Sequence, residues 1–98
     1  MRVADSIERK LTEALAPERL AVIDQSHLHA GHAGARPEGE THFRVEIVAA
    51  AFRGQSRVAR EREVQRILAA ELAGPVHALS VGASTPEEAA RAVAGRDG

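Results

Sequence analysis

Apolar side chains recur near the start of the chain with the spacing of one face of an α-helix. Val3, Ile7 and Leu11 follow one another at intervals of four residues. Leu15 continues the pattern, and Pro17 then interrupts it. Such spacing places these side chains on a single helical face, and proline cannot continue a helix. The pattern predicts a helix over Val3 to Leu15.

Two later segments have the patterns of β-strands. Residues 20–23 form a short apolar run that ends at the turn-forming residues Asp24 and Ser26, which predicts a strand with apolar side chains on both faces. From Thr41 to Ala50 apolar and polar side chains alternate, which predicts a second, half-buried strand. Its apolar face carries Phe43, Val45 and Ile47.

The middle of the chain predicts another helix and a third strand. Ser56 can cap a helix whose apolar stripe runs over residues 64–72, and Gly74 ends it. Residues 76–82 then form a mostly apolar run that predicts a strand. One face of this strand carries His77, Leu79 and Val81.

The last segment begins with a strong helix-start signal. Thr85 is an N-cap residue, Pro86 fits the first helical position, and Glu88 stands at the capping-box position. A short helix should follow to about Ala94. Residues 95–98 are expected to be a disordered tail.

These elements predict a single α+β domain over residues 1–94, in the order α-β-β-α-β-α. The first two strands should pair antiparallel, and a helical crossover should bring the third strand parallel to the second. The result is a three-stranded mixed sheet of order 1-2-3, covered by helices. Parallel strands start at the same edge, so His42 and His77 should lie beside the loop that joins the first two strands.

The amino-acid composition excludes several classes of site and function. The chain has 98 residues and no cysteine, which excludes disulfides and thiolate metal sites built from this chain alone. No segment approaches the ~20 apolar residues of a membrane span. The net charge of −1 gives no overall attraction for nucleic acid or for anionic membranes. The composition predicts a soluble, cytoplasmic protein without a membrane partner.

Three of the five histidines lie in the loop of residues 27–40. His27, His29 and His32 stand in a glycine-containing stretch without helical or strand periodicity. Loops of about this length in small domains are generally functional or disordered. Neutral imidazoles in such a segment can arrange around a metal ion. The alternative is a polar loop whose histidines bind backbone groups and water.

The remaining two histidines belong to predicted strands. His77 interrupts an apolar strand, where a buried imidazole needs hydrogen-bond partners. It is either a metal ligand or a satisfied core histidine. His42 alternates with Phe43 and should point away from the core. We expect His42 and His27 to support the ligands or the structure.

Catalysis has little support in the sequence. The chain has no cysteine nucleophile, no Gly-x-Ser-x-Gly motif and no phosphate-binding loop. Ser26 and His27 are adjacent, but the members of a catalytic triad converge from separate elements. We predict that the protein is not an enzyme.

Nucleic-acid binding is an alternative function. Residues 53–66 hold five arginines against two glutamates. A basic turn and helix can contact the phosphates of nucleic acid. The other interpretation of this segment is a solvated helix face with Arg/Glu pairs. The candidate contacts are Arg53, Arg57, Arg60 and Arg62.

Several segments, taken in order, resemble the BolA family over residues 3 to about 90. They are Asp24-Gln25-Ser26, the histidine-containing loop, Gly39-Glu40-Thr41-His42-Phe43-Arg44-Val45, Phe52-Arg53-Gly54-Gln55-Ser56-Arg57 and Val76-His77-Ala78-Leu79. The resemblance implies a fold similar to class II KH domains. It also implies a [2Fe-2S] cluster shared with a monothiol glutaredoxin and glutathione, in iron-sulfur trafficking or iron regulation.

In that family one cluster ligand is the histidine that corresponds to His77, and another comes from the loop. His29 is the first choice for the loop ligand and His32 the second. The partner and glutathione would supply sulfur ligands, so no cofactor is expected in the isolated chain. Family members are also described as DNA-binding regulators, but Glu61 stands where many carry a histidine, which weakens that function here. A histidine-only zinc or copper site and a weak homodimer are further alternatives.

Overall fold

The computed structural model of the chain describes residues 2–26 and 40–97. Within these residues it has four helices and three strands, and a 3-10 turn spans Ala50–Phe52. The elements are α1 (Val3–Leu15), β1 (Arg19–Asp24), β2 (His42–Val48), α2 (Arg57–Ile67), α3 (Ala69–Ala73), β3 (Ala78–Ser84) and α4 (Pro86–Asp97). Within this part of the chain no helix is long and apolar enough to cross a bilayer.

The three strands form one sheet of order β1-β2-β3, which confirms the predicted α+β class and strand order. β1 pairs antiparallel with β2, in a register that sets Val22 opposite Val45. β2 pairs parallel with β3, and His42 at the start of β2 lies opposite Ala78. The starts of β2 and β3 therefore share one end of the sheet, and the loop between β1 and β2 joins the chain at that end.

The core forms where the predicted apolar faces meet. Ile7, Leu11 and Leu15 of α1 are buried, as their helical spacing predicts. On β2 the burial alternates strictly, with Phe43, Val45 and Ile47 buried. On β1 only one face is inward, since Ile23 is 40% exposed, so the strand is not buried on both faces as its run of apolar residues predicted.

The predicted caps fix the ends of two helices. The Ser56 hydroxyl accepts a hydrogen bond from the Ala59 amide and begins α2. At α4 the Thr85 hydroxyl accepts from the Glu88 amide, and the Glu88 carboxylate accepts from the Thr85 amide. This reciprocal pair confirms the predicted capping box. α4 continues to Asp97, so residues 95–97 extend the helix past its predicted end.

The predicted second helix is divided at Leu68 into α2 and α3. Leu68 leaves helical geometry, with φ −99° and ψ 21°, while its side chain stays buried. The α3 residue Glu71 is buried and accepts a hydrogen bond of 3.0 Å from Lys10 of α1. An ion pair between two partly buried charges thus joins α3 to α1, where the sequence indicated only a continuous apolar stripe.

β3 begins two residues later than its apolar pattern predicted. Val76 is buried, but its amide donates to the Glu71 carbonyl of α3 instead of to a strand. The amides of His77 and Ala78 both donate to the Thr41 carbonyl, at 2.6 and 3.2 Å. Regular pairing with β2 starts only at Ala78, because two successive amides share one acceptor.

Candidate metal-ligand site at the end of the sheet

The parallel pairing of β2 and β3 brings two histidines together. The ring centres of His42 and His77 are 5.9 Å apart, and the ring planes meet at 87° in an edge-to-face contact. The residues are separated by 35 positions in the sequence, and the contact exists because His42 lies opposite Ala78. The predicted convergence of these two residues is therefore confirmed.

The environment of His77 differs from the prediction. The sequence placed it in an apolar strand with Leu79 and Val81, as a buried imidazole, but the side chain is exposed. The shared acceptor at the Thr41 carbonyl explains the difference, because it removes His77 from the regular alternation of β3. A satisfied core histidine is thereby excluded. His77 instead presents an accessible imidazole on a backbone held by a short hydrogen bond.

His42 is half-buried and alternates with the buried Phe43, so it points away from the core as predicted. Its Nδ1 lies 2.8 Å from the Thr41 hydroxyl. Its amide donates to the Ser26 hydroxyl at 3.2 Å, and its carbonyl accepts from the Gln25 amide at 2.8 Å. The backbone of His42 is therefore held to the two residues that follow β1, and its ring contacts the neighbouring Thr41.

A group of side chains closes the base of the loop between β1 and β2. The Asp24 carboxylate accepts from the Ser26 amide at 2.9 Å and from the Glu40 amide at 3.1 Å. The Ser26 hydroxyl accepts from the Thr41 amide at 2.9 Å. Ser26 and Thr41 are 6% and 1% exposed, respectively. The two ends of the loop are therefore tied together beside His42 and His77.

The Asp24 carboxyl is stabilised in its charged form. Partial burial by itself raises its pKa, but hydrogen bonds from the Ser26 side chain and from the amides of Ser26 and Glu40 outweigh burial and lower the pKa below the usual value. The charge of Arg2 acts in the same direction. The charged form of Asp24 is therefore favoured where its carboxylate accepts the amides of Ser26 and Glu40.

The remaining candidate ligands lie outside the described residues. His27, His29 and His32 belong to residues 27–39. Over residues 2–26 and 40–97, no three histidine or carboxylate side chains are grouped closely enough to hold a metal ion. The described part of the site thus consists of one exposed imidazole, a second imidazole in contact with it, and the anchored base of the loop.

Two of the four arginines considered for nucleic-acid contacts have carboxylate partners. Arg53 binds both carboxylate oxygens of Glu87 on α4, and its Nε is 3.0 Å from Oε1. Arg60 binds both carboxylate oxygens of Glu88, and it also donates to the Gln55 and Ala83 carbonyls. Arg60 is 6% exposed, so it is a buried structural residue and not a surface contact as the sequence suggested.

Arg57 and Arg62 are exposed, as the nucleic-acid interpretation requires. The pairing of Arg53 and Arg60 nevertheless neutralises half of the proposed basic surface. The run of arginines was visible in the sequence, but the glutamates that pair with two of them lie 28 and 34 residues further along the chain. Local charge counting could not identify those partners.

The stability of the fold should decrease at low pH as the Glu88 carboxylate becomes protonated. The hydrogen bond from Arg60, together with that from the Thr85 amide, lowers the pKa of Glu88 from 4.5 to about 2. A carboxyl group with a lowered pKa stabilises the fold above its ordinary pKa, and this contribution is lost as the pH falls toward the folded value. We therefore expect the stability difference between wild type and Glu88→Gln to be largest above pH 4.5 and to shrink toward pH 2.

Urea unfolding at a series of pH values measures this difference. Glu87→Gln is the matched control, because Glu87 is the neighbouring carboxylate in the more exposed pair with Arg53. A difference between wild type and Glu88→Gln that stays constant from neutral pH down to about 2 would contradict the role assigned to the Arg60–Glu88 pair.

Comparisons of this chain with a family model, with related sequences and with solved structures agree with one another. The family model described as BolA-like protein matches residues 11–88. The "uncharacterized protein in cobS 5'region" of Sinorhizobium sp is 49% identical over 92 residues, which cover 93% of this chain and 99% of that protein. BolA-like protein 1 of Mus musculus is 46% identical, and the match covers 88% of this chain and 60% of the mouse protein.

Solved structures agree with the fold described above. The BolA domain of SufE1 from Arabidopsis thaliana is 45% identical, with a TM-score of 0.79, and the match covers 87% of this chain and 93% of that domain. BolA1 from the same plant is 41% identical, with a TM-score of 0.80 and coverage of 90% and 96%. The family match over most of the chain and these relatives together show that this chain belongs to the BolA family.

Proposed function

We propose that this protein is a non-enzymatic adaptor that holds a [2Fe-2S] cluster jointly with a monothiol glutaredoxin and its glutathione, in iron-sulfur trafficking or iron regulation. The observation that carries the proposal is the exposed imidazole of His77, which stands on a fixed backbone at the end of the sheet. We further propose that it acts in the cytoplasm, although relatives in Arabidopsis thaliana include chloroplastic forms.

The residues of the chain can supply some, but not all, of the ligands that a [2Fe-2S] cluster needs. A [2Fe-2S] cluster takes four protein ligands, usually thiolates, and imidazole nitrogens can replace thiolates on one iron. The chain has five histidines and no cysteine, so it can supply imidazole nitrogens but no thiolate. The sulfur ligands must therefore come from another molecule. A thiol-bearing partner such as glutaredoxin with glutathione has the required chemistry.

The anchored base of the loop supports a second ligand from residues 27–39. Asp24 binds the amides of Ser26 and Glu40, which flank the loop on either side. Thr41, directly after Glu40, holds the amide of His77. Both ends of the loop, at Ser26 and Glu40, are therefore held close to His77. His29 is proposed as the loop ligand, with His32 as the alternative.

Reconstitution with a monothiol glutaredoxin tests the role of His77. Wild type and His77→Ala are mixed with the partner, glutathione, iron and sulfide, and ultraviolet-visible absorption and circular dichroism are recorded. We expect His77→Ala to lose the spectrum of the mixed complex, because the chain then lacks its fixed nitrogen ligand. Gln65→Ala is the control, since Gln65 is an exposed residue of α2.

Amide NMR spectra of His77→Ala verify that the sheet is intact. An unchanged cluster spectrum in a folded His77→Ala protein would overturn the ligand assignment. Failure of the wild-type protein to form any complex with a monothiol glutaredoxin would overturn the proposed function itself. His29→Ala and His32→Ala, compared in the same way, decide which loop histidine contributes.

A further inference from the structure

Glu40, at the junction between the loop and β2, has an unusual backbone conformation. Its φ is 64°, in the left-handed region that residues with a side chain rarely adopt. Among the described residues, Ala16 is the other non-glycine residue with a positive φ, and it ends α1 in a way that is common for helices. Glu40, by contrast, lies two residues before a strand. A strained conformation persists only where the surrounding contacts hold it, so the contacts of Glu40 must supply the reason.

The Glu40 carboxylate binds the start of α1. Its Oε2 accepts a hydrogen bond of 3.3 Å from the Ala4 amide and lies 3.4 Å from Nε of Arg2. The Glu40 side chain is 17% exposed, whereas that of Arg2 is 71% exposed. An ion pair with so exposed a partner contributes little to stability. The hydrogen bond from the Ala4 amide is therefore the contact that matters.

This contact caps α1 from outside the helix. Arg2 occupies the N-cap position in an extended conformation, with φ −73° and ψ 153°, but its side chain makes no capping hydrogen bond. Ala4 is the second residue of α1, and an N-cap side chain normally binds the amide of the second or third residue. The Glu40 carboxylate therefore does from 36 positions away what a serine or aspartate at the N-cap would do locally. Its negative charge is also favoured at the start of a helix.

The backbone of Glu40 belongs to the network that holds His77. Its amide donates to the Asp24 carboxylate at 3.1 Å. The next residue, Thr41, is buried, and its amide donates to the Ser26 hydroxyl at 2.9 Å. The Thr41 carbonyl accepts from the His77 amide at 2.6 Å. The residue that binds α1 is thus the direct neighbour of the residue that holds the His77 backbone.

We propose that Glu40 is a positioning residue that joins this end of the sheet to α1 and thereby fixes the backbone on which His77 stands. The left-handed conformation serves this role, because it sets the direction of the side chain toward α1 while the amide stays on Asp24. The proposal deepens the proposed function and rests on it for its meaning in cluster binding. The effect of Glu40 on the His77 backbone is a property of the protein alone.

Amide hydrogen exchange followed by NMR tests the link in the isolated protein. Glu40→Gly removes the carboxylate but permits the left-handed conformation, which glycine adopts without strain. We expect the Ala4 amide to exchange about 5-fold faster, the usual effect of losing a helix cap, and the His77 amide to exchange faster by a similar factor. Arg2→Ala is the control and should leave both rates close to those of wild type, because it removes only the exposed ion pair.

A double variant separates positioning from helix capping. Arg2→Ser places a capping hydroxyl at the N-cap position of α1, where the extended backbone already suits it. In Arg2→Ser combined with Glu40→Gly, we expect protection to return to the first turn of α1 but not to the His77 amide. Protection that returns to both would show that Glu40 only caps the helix, and wild-type exchange of His77 in a folded Glu40→Gly protein would equally overturn the proposal. Glu40→Asn replaces Glu40→Gly if the glycine variant does not fold, since asparagine also tolerates the left-handed conformation.

The lifetime of the mixed cluster is the second readout. The complex with a monothiol glutaredoxin and glutathione is followed by the loss of its visible absorption. In Glu40→Gly we expect the lifetime to be about 10-fold shorter, as for residues that support a metal ligand, and Arg2→Ser should not restore it. Equal lifetimes in wild type and Glu40→Gly would support the proposed function and refute the role of Glu40 at the site. Failure of wild type to form the complex would refute the proposed function, and the exchange rates of His77 would still decide the role of Glu40.

Discussion

Phe52→Ala should lower the free energy of unfolding by about 3–5 kcal/mol, the usual cost of emptying a fully buried aromatic site. Phe52 is 0% exposed and ends the 3-10 turn that joins β2 to α2. It is one of only two aromatic residues in the chain, so little other bulk is available to fill the space. Domains of this size have total stabilities of about 5–15 kcal/mol, so a large part of that total would be lost.

Urea unfolding followed by circular dichroism measures the loss, and the melting temperature should fall by roughly 12–40 °C. Phe52→Leu is expected to lose less, because leucine refills part of the volume. Val58→Ala is the surface control, since Val58 is 54% exposed. A loss below about 1 kcal/mol in Phe52→Ala would show that the turn does not anchor the core.

The sequence predicted those parts of the fold that depend on local patterns. The spacing of Ile7, Leu11 and Leu15 defined the buried face of α1, and the alternation around Val45 defined the buried face of β2. The capping box at Thr85 was also visible, because its hydrogen bonds join residues three positions apart. Sheet order followed from the lengths of the connections, since a helical crossover permits parallel pairing.

The environment of His77 could not be predicted in the same way. A period-two pattern assigns faces only within a regular strand, and a shift of one residue moves a side chain to the opposite face. The shared hydrogen bond from His77 and Ala78 to Thr41 delays the start of β3. That acceptor lies 36 residues before His77 in the chain, so no local pattern around His77 reveals it.

The network at the base of the loop was missed for a related reason. The local sequence indicates turn-forming residues at Asp24 and Ser26 and the first residue of a strand at Thr41, and it gives no sign that they are connected. Their connection exists only because antiparallel pairing sets Asp24 opposite Phe43 and returns the chain beside Ser26. Once the pairing is assumed, three small polar residues on facing strand ends are a recognisable signal. The convergence of His42 and His77 was predictable because it depends on that same pairing.

Arg60→Met should destabilise the protein by about 2–4 kcal/mol, because it removes the guanidinium donors from Glu88 and from two backbone carbonyls in a partly buried site. The Arg60 side chain is 7% exposed and that of Glu88 is 33% exposed, so the expected loss is below that of a fully buried pair. Methionine keeps the aliphatic bulk of arginine. The Gln55 and Ala83 carbonyls would lose their guanidinium donors, and α2 would lose its link to the start of α4.

A double-mutant cycle with Glu88→Gln isolates the pair, and Arg62→Met is the matched control because Arg62 is an exposed arginine of the same helix. We expect a coupling energy in the cycle and a change in the free energy of unfolding within about 0.5 kcal/mol for Arg62→Met.

The contrast between Arg60→Met and Arg62→Met also tests nucleic-acid binding. If duplex DNA binds through α2, Arg62→Met should weaken binding without unfolding, whereas any loss in Arg60→Met should follow the unfolded fraction. Equal stabilities of Arg60→Met and wild type would contradict the structural role assigned to Arg60. Arg60 would then again be a candidate for phosphate contacts.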